Sequence, residues 1–188
     1  MRAQISIRRT QLVSPAAPDL KHALRPVPTY ERAVREVSRM LAAAGIRHAL
    51  AGALAANAYR SRPRTTEDID FLVGDEALES HPGGFVMMRV PVVEFDGIAI
   101  DQVPLGDALR ALEEGLTHAP VSDGVPIVSL ETIVVIKLFA GRTQDFADIE
   151  AIAGSGADRE RLRAAVRKLA SDRAETLERL FENADRAR

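Results

Sequence analysis

The sequence of 188 residues contains no cysteine and no tryptophan, and aromatic residues make up only 4% of it. The lack of cysteine excludes disulfide bonds, thiolate catalysis and cysteine-ligated zinc. The scarcity of aromatic side chains argues against a surface that binds nucleic acid by stacking bases, because such surfaces depend on aromatic rings. A hydrophobic content of 46% still allows a sizeable core, which must be aliphatic and rich in alanine.

The chain also lacks a dominant charge, a long apolar run and a histidine cluster. Its formal net charge is −2, so no overall field attracts nucleic acid. The four histidines are scattered, without the spacing of a metal site. No apolar run approaches the roughly 20 residues of a membrane helix, and the N-terminal segment lacks the apolar core of a signal peptide. We therefore expect a cytoplasmic protein with no membrane partner.

The most informative stretch is the acidic pair Asp68 and Asp70, which stands directly before the apolar residues 71–73. Residues two apart on a strand point to the same face, so the two carboxylates would lie side by side while Ile69 points into the core. Adjacent carboxylates repel each other unless a cation lies between them, and Mg²⁺ prefers such oxygen ligands. The pattern predicts a metal site at the start of a buried strand. The alternative is a pair of solvated turn residues.

The segment before this pair favours the metal site. Gly52 and Ala53 lie in an alanine-rich stretch, where a helix beginning at Gly52 would direct its first N–H groups at an anion. Further basic and hydroxyl side chains follow at Arg60, Arg62, Arg64, Thr65 and Thr66. An anion cradle, basic residues and a carboxylate pair therefore fall within one short segment.

A third acidic residue is expected on a later hairpin strand. Asp96-Gly97 is a strong signal for a two-residue turn, and the returning strand, residues 98–103, places Asp101 among apolar neighbours. An acid in that position is costly unless it is paired or binds a metal, so Asp101 is the natural third carboxylate. The alternatives are an edge-strand aspartate that faces solvent, and Glu94 in place of Asp101.

A buried helix is predicted over residues 130–140, with Ser129 as its N-cap and Gly141 at its end. Apolar residues cover nearly its whole circumference, which is typical of a helix inside the core. Lys137 lies within it. A lysine at such a position must reach an anion or extend its side chain to solvent.

The next predicted helix, residues 143–153, carries two acidic residues in its first half. Asp145 and Asp148 can offset the partial positive charge of the helix N-terminus, or pair with Lys137 or Arg142. A direct functional role for the two aspartates is the alternative. The sequence does not decide between these interpretations.

Composition divides the chain into three parts. Residues 1–28 contain four prolines and no sustained periodicity, which predicts an extended, partly disordered N-terminal arm. Residues 29–153 contain every predicted site residue and begin with a helix for which Thr29 is the expected cap. Residues 154–188 follow a Gly-Ser-Gly break and predict a charged, amphipathic helical tail.

The order of these motifs resembles the minimal nucleotidyltransferases of the DNA polymerase β superfamily. The shared features are a small-Gly-small segment, then Arg-x-Thr-x-Asp-Ile-Asp, then a third aspartate on a hairpin strand. The later stretch KLFAGRTQDFADIEAI resembles the Lys-x-x-Ala-x-Arg-x-x-Asp-x-x-Asp helix pair of the abortive-infection toxin-like branch, and the matches together span residues 46–153. One departure is Gly52-Ala53, where the family usually has Gly-Gly or Gly-Ser, so a hydroxyl contact to phosphate is missing.

The resemblance implies an α+β fold: a mixed, mostly antiparallel central sheet with flanking helices and a C-terminal helical tail. It also implies transfer of a nucleoside monophosphate from an NTP. Asp68 and Asp70 would hold Mg²⁺ or Mn²⁺, and Asp101 would complete a second metal site and help to deprotonate the acceptor hydroxyl. The nucleotide would be bound by Gly52, Ala53, Arg64, Thr66 and Lys137.

The acceptor is left open: an RNA end such as that of tRNA, a protein side chain, or a small hydroxylated molecule. The resemblance places such an enzyme in a toxin–antitoxin or phage-defence system, with a cognate toxin or antitoxin as partner. A second hypothesis is a catalytically weak binding partner or antitoxin of the same fold. A third is a purely structural α/β domain.

Overall fold

The fold is built on a small central sheet with helices packed against it. The structure, a computed structural model, describes residues 17–81, 85–89 and 92–187. The strands are β1 (His48–Leu50), β2 (Asp68–Val73), β3 (Leu78–His81), β4 (Phe85–Met88), β5 (Glu94–Phe95), β6 (Ile98–Pro104), β7 (Val121–Ser122) and β8 (Val125–Pro126). The helices are α1 (Leu20–Ala23), α2 (Glu31–Ala43), α3 (Gly52–Asn57), α4 (Gly106–Leu109), α5 (Glu113–Thr117), α6 (Leu130–Ala140), α7 (Thr143–Gly154), α8 (Arg159–Leu169) and α9 (Ala174–Arg186). Short 3₁₀ turns occupy Pro28–Tyr30, Asp75–Ala77, Arg110–Leu112 and Ser171–Arg173.

The central sheet has four strands in the order β1-β2-β6-β5. β1 pairs with β2 and β5 pairs with β6 in antiparallel fashion, whereas β2 and β6 run parallel. The predicted α+β class with a mixed, mostly antiparallel sheet is therefore confirmed. The hairpins β3–β4 and β7–β8 form two further two-stranded sheets.

The two central strands alternate in the way that their sequences predict. Ile69 and Phe71 on β2 and Ile100 on β6 are buried and point into the core. Asp70 on β2 and its register partner Asp101 on β6 therefore share the opposite face. Burial of the apolar residues fixes the face that the acids occupy.

Local sequence signals set several element ends. Asp96 and Gly97 adopt φ values of 53° and 77°, the left-handed conformations of a tight hairpin turn between β5 and β6. The Ser129 hydroxyl accepts a hydrogen bond from the Thr132 N–H, which confirms the predicted N-cap of α6. Gly141 ends that helix with φ 66°.

One sequence prediction of local structure was wrong. Thr29 does not cap α2, because it lies inside the Pro28–Tyr30 turn and the N-cap position falls on Tyr30. After Gly106, the two short helices α4 and α5 are separated by the Arg110–Leu112 turn. The hairpin β7–β8 turns at Asp123 and Gly124.

Helices from both ends of the described chain join one hydrophobic core. Residues 1–16 of the predicted N-terminal arm lie outside the described residues, but Leu20 and Ala23 in α1 are fully buried. Leu162 in α8 and Phe181 in α9, both in the predicted tail, belong to the same buried cluster. Within the described ranges, no helix combines the length and apolar character needed to cross a membrane.

Replacing Phe181 with alanine should destabilise the whole protein. The ring is 2% exposed and lies under the guanidinium groups of Arg159 and Arg163, 4.9 Å and 5.2 Å from its centroid. Loss of a buried Phe side chain costs about 3–5 kcal/mol of unfolding free energy. Urea denaturation followed by circular dichroism should show one transition at a lower midpoint. The control is Val121→Ala, at a 65% exposed position; a separate transition for Phe181→Ala would contradict a shared core.

Candidate active site

The site begins with three carboxylates on two neighbouring strands. Asp68 and Asp70 lie two residues apart on β2, and the parallel register sets Asp101 of β6 opposite Asp70. One oxygen from each side chain lies within 4.8 Å of the others. Glu94 of β5, the alternative third acid, pairs with Ala99 of β6 and is outside this cluster. The expected convergence of the three aspartates is therefore confirmed.

Asp70 has a strongly raised pKa. Burial disfavours its charged form, and the nearby charges of Asp68 and Asp101 add to that effect, raising its pKa from 3.8 to about 6. The positive charges of Lys137 and Arg142 act in the opposite direction but do not cancel the rise. A cation bound beside Asp70 would stabilise the charged form of this carboxylate.

Gly52 allows the close packing of this carboxylate. It opens α3 with φ 56°, a conformation that favours glycine. A Cβ placed on Gly52 would lie 1.7 Å from Asp70 Oδ2, so no side chain fits there without displacing the acid. The Ala51 N–H donates to the Asp70 carbonyl oxygen at 2.8 Å and ties the start of α3 to β2.

The loop before β2 orients Asp68. The Thr66 hydroxyl donates a 2.6 Å hydrogen bond to Asp68 Oδ1. The Tyr30 hydroxyl in turn donates to the Thr66 carbonyl oxygen at 3.2 Å. Thr66, predicted to bind nucleotide, is thus placed in contact with a predicted metal ligand.

A buried aspartate of α7 accepts hydrogen bonds from several cationic side chains beside the cleft. Asp148 is fully buried and accepts hydrogen bonds from Arg60 (2.7 Å), Arg64 (2.9 Å and 3.0 Å) and Lys137 (2.7 Å). Burial opposes ionisation of Asp148, yet the hydrogen bonds from Arg64 and Lys137 keep its pKa below the ordinary value. Asp148 therefore joins the loop before β2 to both α6 and α7.

Asp145 completes this buried network. Burial again opposes its ionisation, but the Arg142 guanidinium (2.7 Å) and the Lys137 ammonium (3.1 Å) hold its pKa below the ordinary value. Lys137, only 3% exposed, thus reaches two carboxylates rather than solvent, which confirms the pairing considered from the sequence. Arg142 leaves 77% of its side chain exposed.

Asn57 is a structural element of the site that the sequence did not reveal. Its fully buried amide accepts a hydrogen bond from the Arg64 N–H at 3.0 Å and donates to the Arg64 carbonyl oxygen at 2.8 Å. It also donates to the Ala23 carbonyl oxygen at 3.2 Å. The available signal was a polar residue at the end of the alanine-rich helix, which does not by itself identify its partners.

A cleft of about 1030 Å³ is lined by the three aspartates and by part of this network. Its lining includes every site residue predicted from the sequence: Gly52, Ala53, Arg64, Thr66, Asp68, Asp70, Asp101 and Lys137. Asp145 and Arg142 line it as well. The structure therefore brings residues from five elements and two loops to a single cleft, while their roles stay predictions.

The donor set of this cleft fits a hard divalent cation. Asp68, Asp70 and Asp101 offer carboxylate oxygens, the ligands that Mg²⁺ and Mn²⁺ prefer. Burial first, and then the charges of Asp68 and Asp101, raise the pKa of Asp70, so a cation bound there would lower the cost of keeping this carboxylate charged. The three aspartates could therefore hold one or more divalent ions.

Comparisons with known proteins give limited further information. No protein-family model matches the sequence, and no curated protein matches it. A crystal structure of an antigenic nucleotidyltransferase-like protein from Paracoccidioides brasiliensis is similar to 81% of this chain and 94% of its own chain, with 15% sequence identity and a TM-score of 0.45. Similarity at this level does not assign the chain to a family or a function.

Replacing Gly52 with alanine should weaken divalent-metal binding as well as stability. The new methyl group would displace Asp70, and the positive φ adds backbone strain on the order of 1–3 kcal/mol. Gly45→Ala is the matched control, because Gly45 has φ 72° but nothing within 4 Å of an added Cβ. Calorimetric titration with Mn²⁺ should show at least tenfold weaker binding for Gly52→Ala only. Equal affinity in the two variants would contradict the steric role of Gly52.

The stability of the metal-free protein should depend on pH through Asp70. Because its pKa is raised from 3.8 to about 6 in the folded state, the folded protein binds the proton more tightly than the unfolded chain. The free energy of unfolding should therefore fall as the pH rises from about 4 to about 6. Asp70→Asn should lack this component and be more stable than wild type above pH 6 by about 1–3 kcal/mol.

Urea titrations at several pH values in the presence of a chelator test this expectation. The difference in unfolding free energy between Asp70→Asn and wild type should grow from pH 4 to pH 6 and then level off. A difference that is constant over this range would show that Asp70 titrates normally.

Proposed function

We propose that this protein is a metal-dependent nucleotidyltransferase that moves a nucleoside monophosphate from an NTP to a hydroxyl acceptor. The observation that carries the proposal is the convergence of Asp68, Asp70 and Asp101 in one cleft, within 4.8 Å of one another. Three adjacent carboxylates repel one another, so their assembly is best explained by a cationic ligand. The cleft is large enough for more than a bare ion.

The carboxylates would divide the work of the reaction. Asp68 and Asp70 would hold Mg²⁺ or Mn²⁺, and Asp101 would complete a second metal position. Divalent ions held by these residues would supply stabilisation of the attacking and leaving oxygens in an in-line displacement. The acceptor oxygen forms a bond to the α-phosphorus, the bond to pyrophosphate breaks, and the acceptor proton passes to the exposed Asp101 carboxylate.

The triphosphate would lie against the cationic side of the cleft. Arg64, Lys137 and Arg142 line this side, and Arg60 shares Asp148 with Arg64 and Lys137. Within the described part of the chain, the ion-pair partners of these four cations are the two carboxylates Asp145 and Asp148, which leaves an excess of positive charge there. Arg64 and Lys137 are held by these aspartates, so in this proposal they attract phosphate mainly through their field. The backbone N–H groups of Gly52 and Ala53 open α3 at the same cleft, and the Ala51 N-cap makes no competing side-chain hydrogen bond.

The acceptor is proposed as a class rather than a compound. It carries a hydroxyl group and is an RNA end such as that of tRNA, a protein side chain or a small molecule. The sequence resemblance to the abortive-infection toxin-like branch suggests a toxin–antitoxin or phage-defence role, with a cognate toxin or antitoxin as partner.

A catalytically weak binding partner or antitoxin is the second candidate. Two observations favour it: Ala53 supplies no hydroxyl to phosphate, and all three side-chain nitrogens of Arg64 already donate hydrogen bonds, to Asp148 and to the Thr65 carbonyl. These hydrogen bonds use three of the five guanidinium N–H groups of Arg64, so a phosphate could bind only to the remaining two. Fewer free donors would weaken nucleotide binding.

Incubation with each labelled NTP, Mg²⁺ and a mixture of cellular RNA and protein separates the two candidates. Wild type should transfer label to an acceptor, and Asp70→Asn and Asp101→Asn should each lose at least a hundredfold in rate because a metal ligand is lost. Glu94→Gln is the control, since it removes an acid on the neighbouring strand outside the cluster. Absence of labelling and of NTP binding in wild type would favour the binding partner. Equal labelling by Asp70→Asn would place the chemistry elsewhere.

A further inference from the structure

The cleft changes from acidic to apolar over two residues along both central strands. Leu72 follows Asp70 on the same face of β2, and Val103 follows Asp101 on the same face of β6. Two residues of strand span about 7 Å. Leu72 is buried, but Val103 is 38% exposed, so an open apolar surface lies directly beside the carboxylates.

Helix α6 also lines the cleft, and its apolar and charged side chains lie on different edges. Thr132, Ile136 and Phe139 have the i, i+4, i+7 spacing that aligns side chains along one edge of a helix. At Thr132 this edge faces α5, because a Cβ added to Gly115 would lie 2.5 Å from Thr132 Oγ1. Lys137 lies on a different edge, where it meets the buried aspartates of α7.

Phe139 gives the apolar end an aromatic surface. It lines the cleft together with Ile136 and with Leu109 of α4. Among the exposed large hydrophobic side chains of the described residues, Phe139 is the aromatic one, with 37% exposure. A partly exposed ring offers a flat apolar face against which another ring can stack.

We propose that this apolar end, formed by Leu72, Val103, Leu109, Ile136 and Phe139, binds the base of the NTP, with Phe139 as the stacking surface. The proposal rests on the proposed nucleotidyl transfer, in which the α-phosphate lies at the three carboxylates. The base is tied to that phosphate through a single ribose, so it must lie within the cleft whatever the acceptor is. The cationic side attracts the β- and γ-phosphates, which directs the base to the apolar end.

The same surface implies that the protein does not discriminate among the four bases. Within the described part of the chain, the side chains of this apolar end carry no hydrogen-bonding group. Stacking accepts every base, since each has a flat π-face, whereas discrimination requires donors and acceptors at the base edge. The protein should therefore bind the four NTPs with similar affinity.

Calorimetry with Mg²⁺ and α,β-methylene analogues of ATP, GTP, CTP and UTP tests the subsite, with inorganic triphosphate as a probe that has no base. Wild type should bind all four analogues within about fivefold of one another. Phe139→Ala should weaken each by about 5- to 160-fold, the range expected for loss of one aromatic stacking partner. Its affinity for triphosphate should be unchanged. Val121→Ala, which removes an exposed apolar side chain away from the cleft, is the control.

The outcomes separate this inference from the proposed function. If wild type binds the analogues and triphosphate, and Phe139→Ala binds the analogues as tightly as wild type, the base subsite is wrong and nucleotide binding stands. Preference for one base by more than tenfold would overturn binding without selection. If wild type binds neither triphosphate nor any analogue, the proposed function fails together with the subsite. A melting temperature near that of wild type would show that Phe139→Ala remains folded.

Discussion

The site depends on the parallel pairing of β2 with β6 in one register. Ile69 and Ile100 are partners in that register and are buried, which places Asp70 and Asp101 together on the other face. A slip of one residue would turn Asp101 toward the core and Ile100 toward the cleft. Hydrophobic burial therefore holds the carboxylates together against their mutual repulsion. Much of the energy that assembles the site therefore comes from residues on the other face of the sheet.

The cations near the carboxylates lessen this repulsion without ending it. Lys137 and Arg142 lower the pKa of Asp70 through space, but burial and the charges of Asp68 and Asp101 outweigh them. Lys137 is itself held by Asp145 and Asp148, so its ammonium cannot turn to neutralise the three-carboxylate cluster. The fold thus keeps positive and negative groups in one cleft, but the repulsion among the three carboxylates is not fully neutralised by the cations of the protein.

Sequence reasoning succeeded where the signal was local. The Asp96-Gly97 turn and the Ser129 cap depend on a few adjacent residues, and alternation along β2 fixed the face of Asp68 and Asp70. The same reasoning failed at Thr29, where Pro28 begins a 3₁₀ turn that includes the expected cap. Pairing of Asp148 with Arg64, and of Asn57 with the backbone of Arg64, depends on how helices meet in three dimensions. A single sequence does not specify such contacts.

The buried network around Asp148 is better understood as a positioning device than as a source of stability. Buried ion pairs often contribute no more than well-packed apolar residues of the same volume. This network fixes the side chain of Arg64, while the Asn57 amide fixes the backbone of Arg64 by hydrogen bonding. Two positions further on, Thr66 donates to Asp68. Constraints from α3 and α7 therefore meet at one loop residue, and the orientation of a site carboxylate depends on an aspartate 80 positions further along the chain.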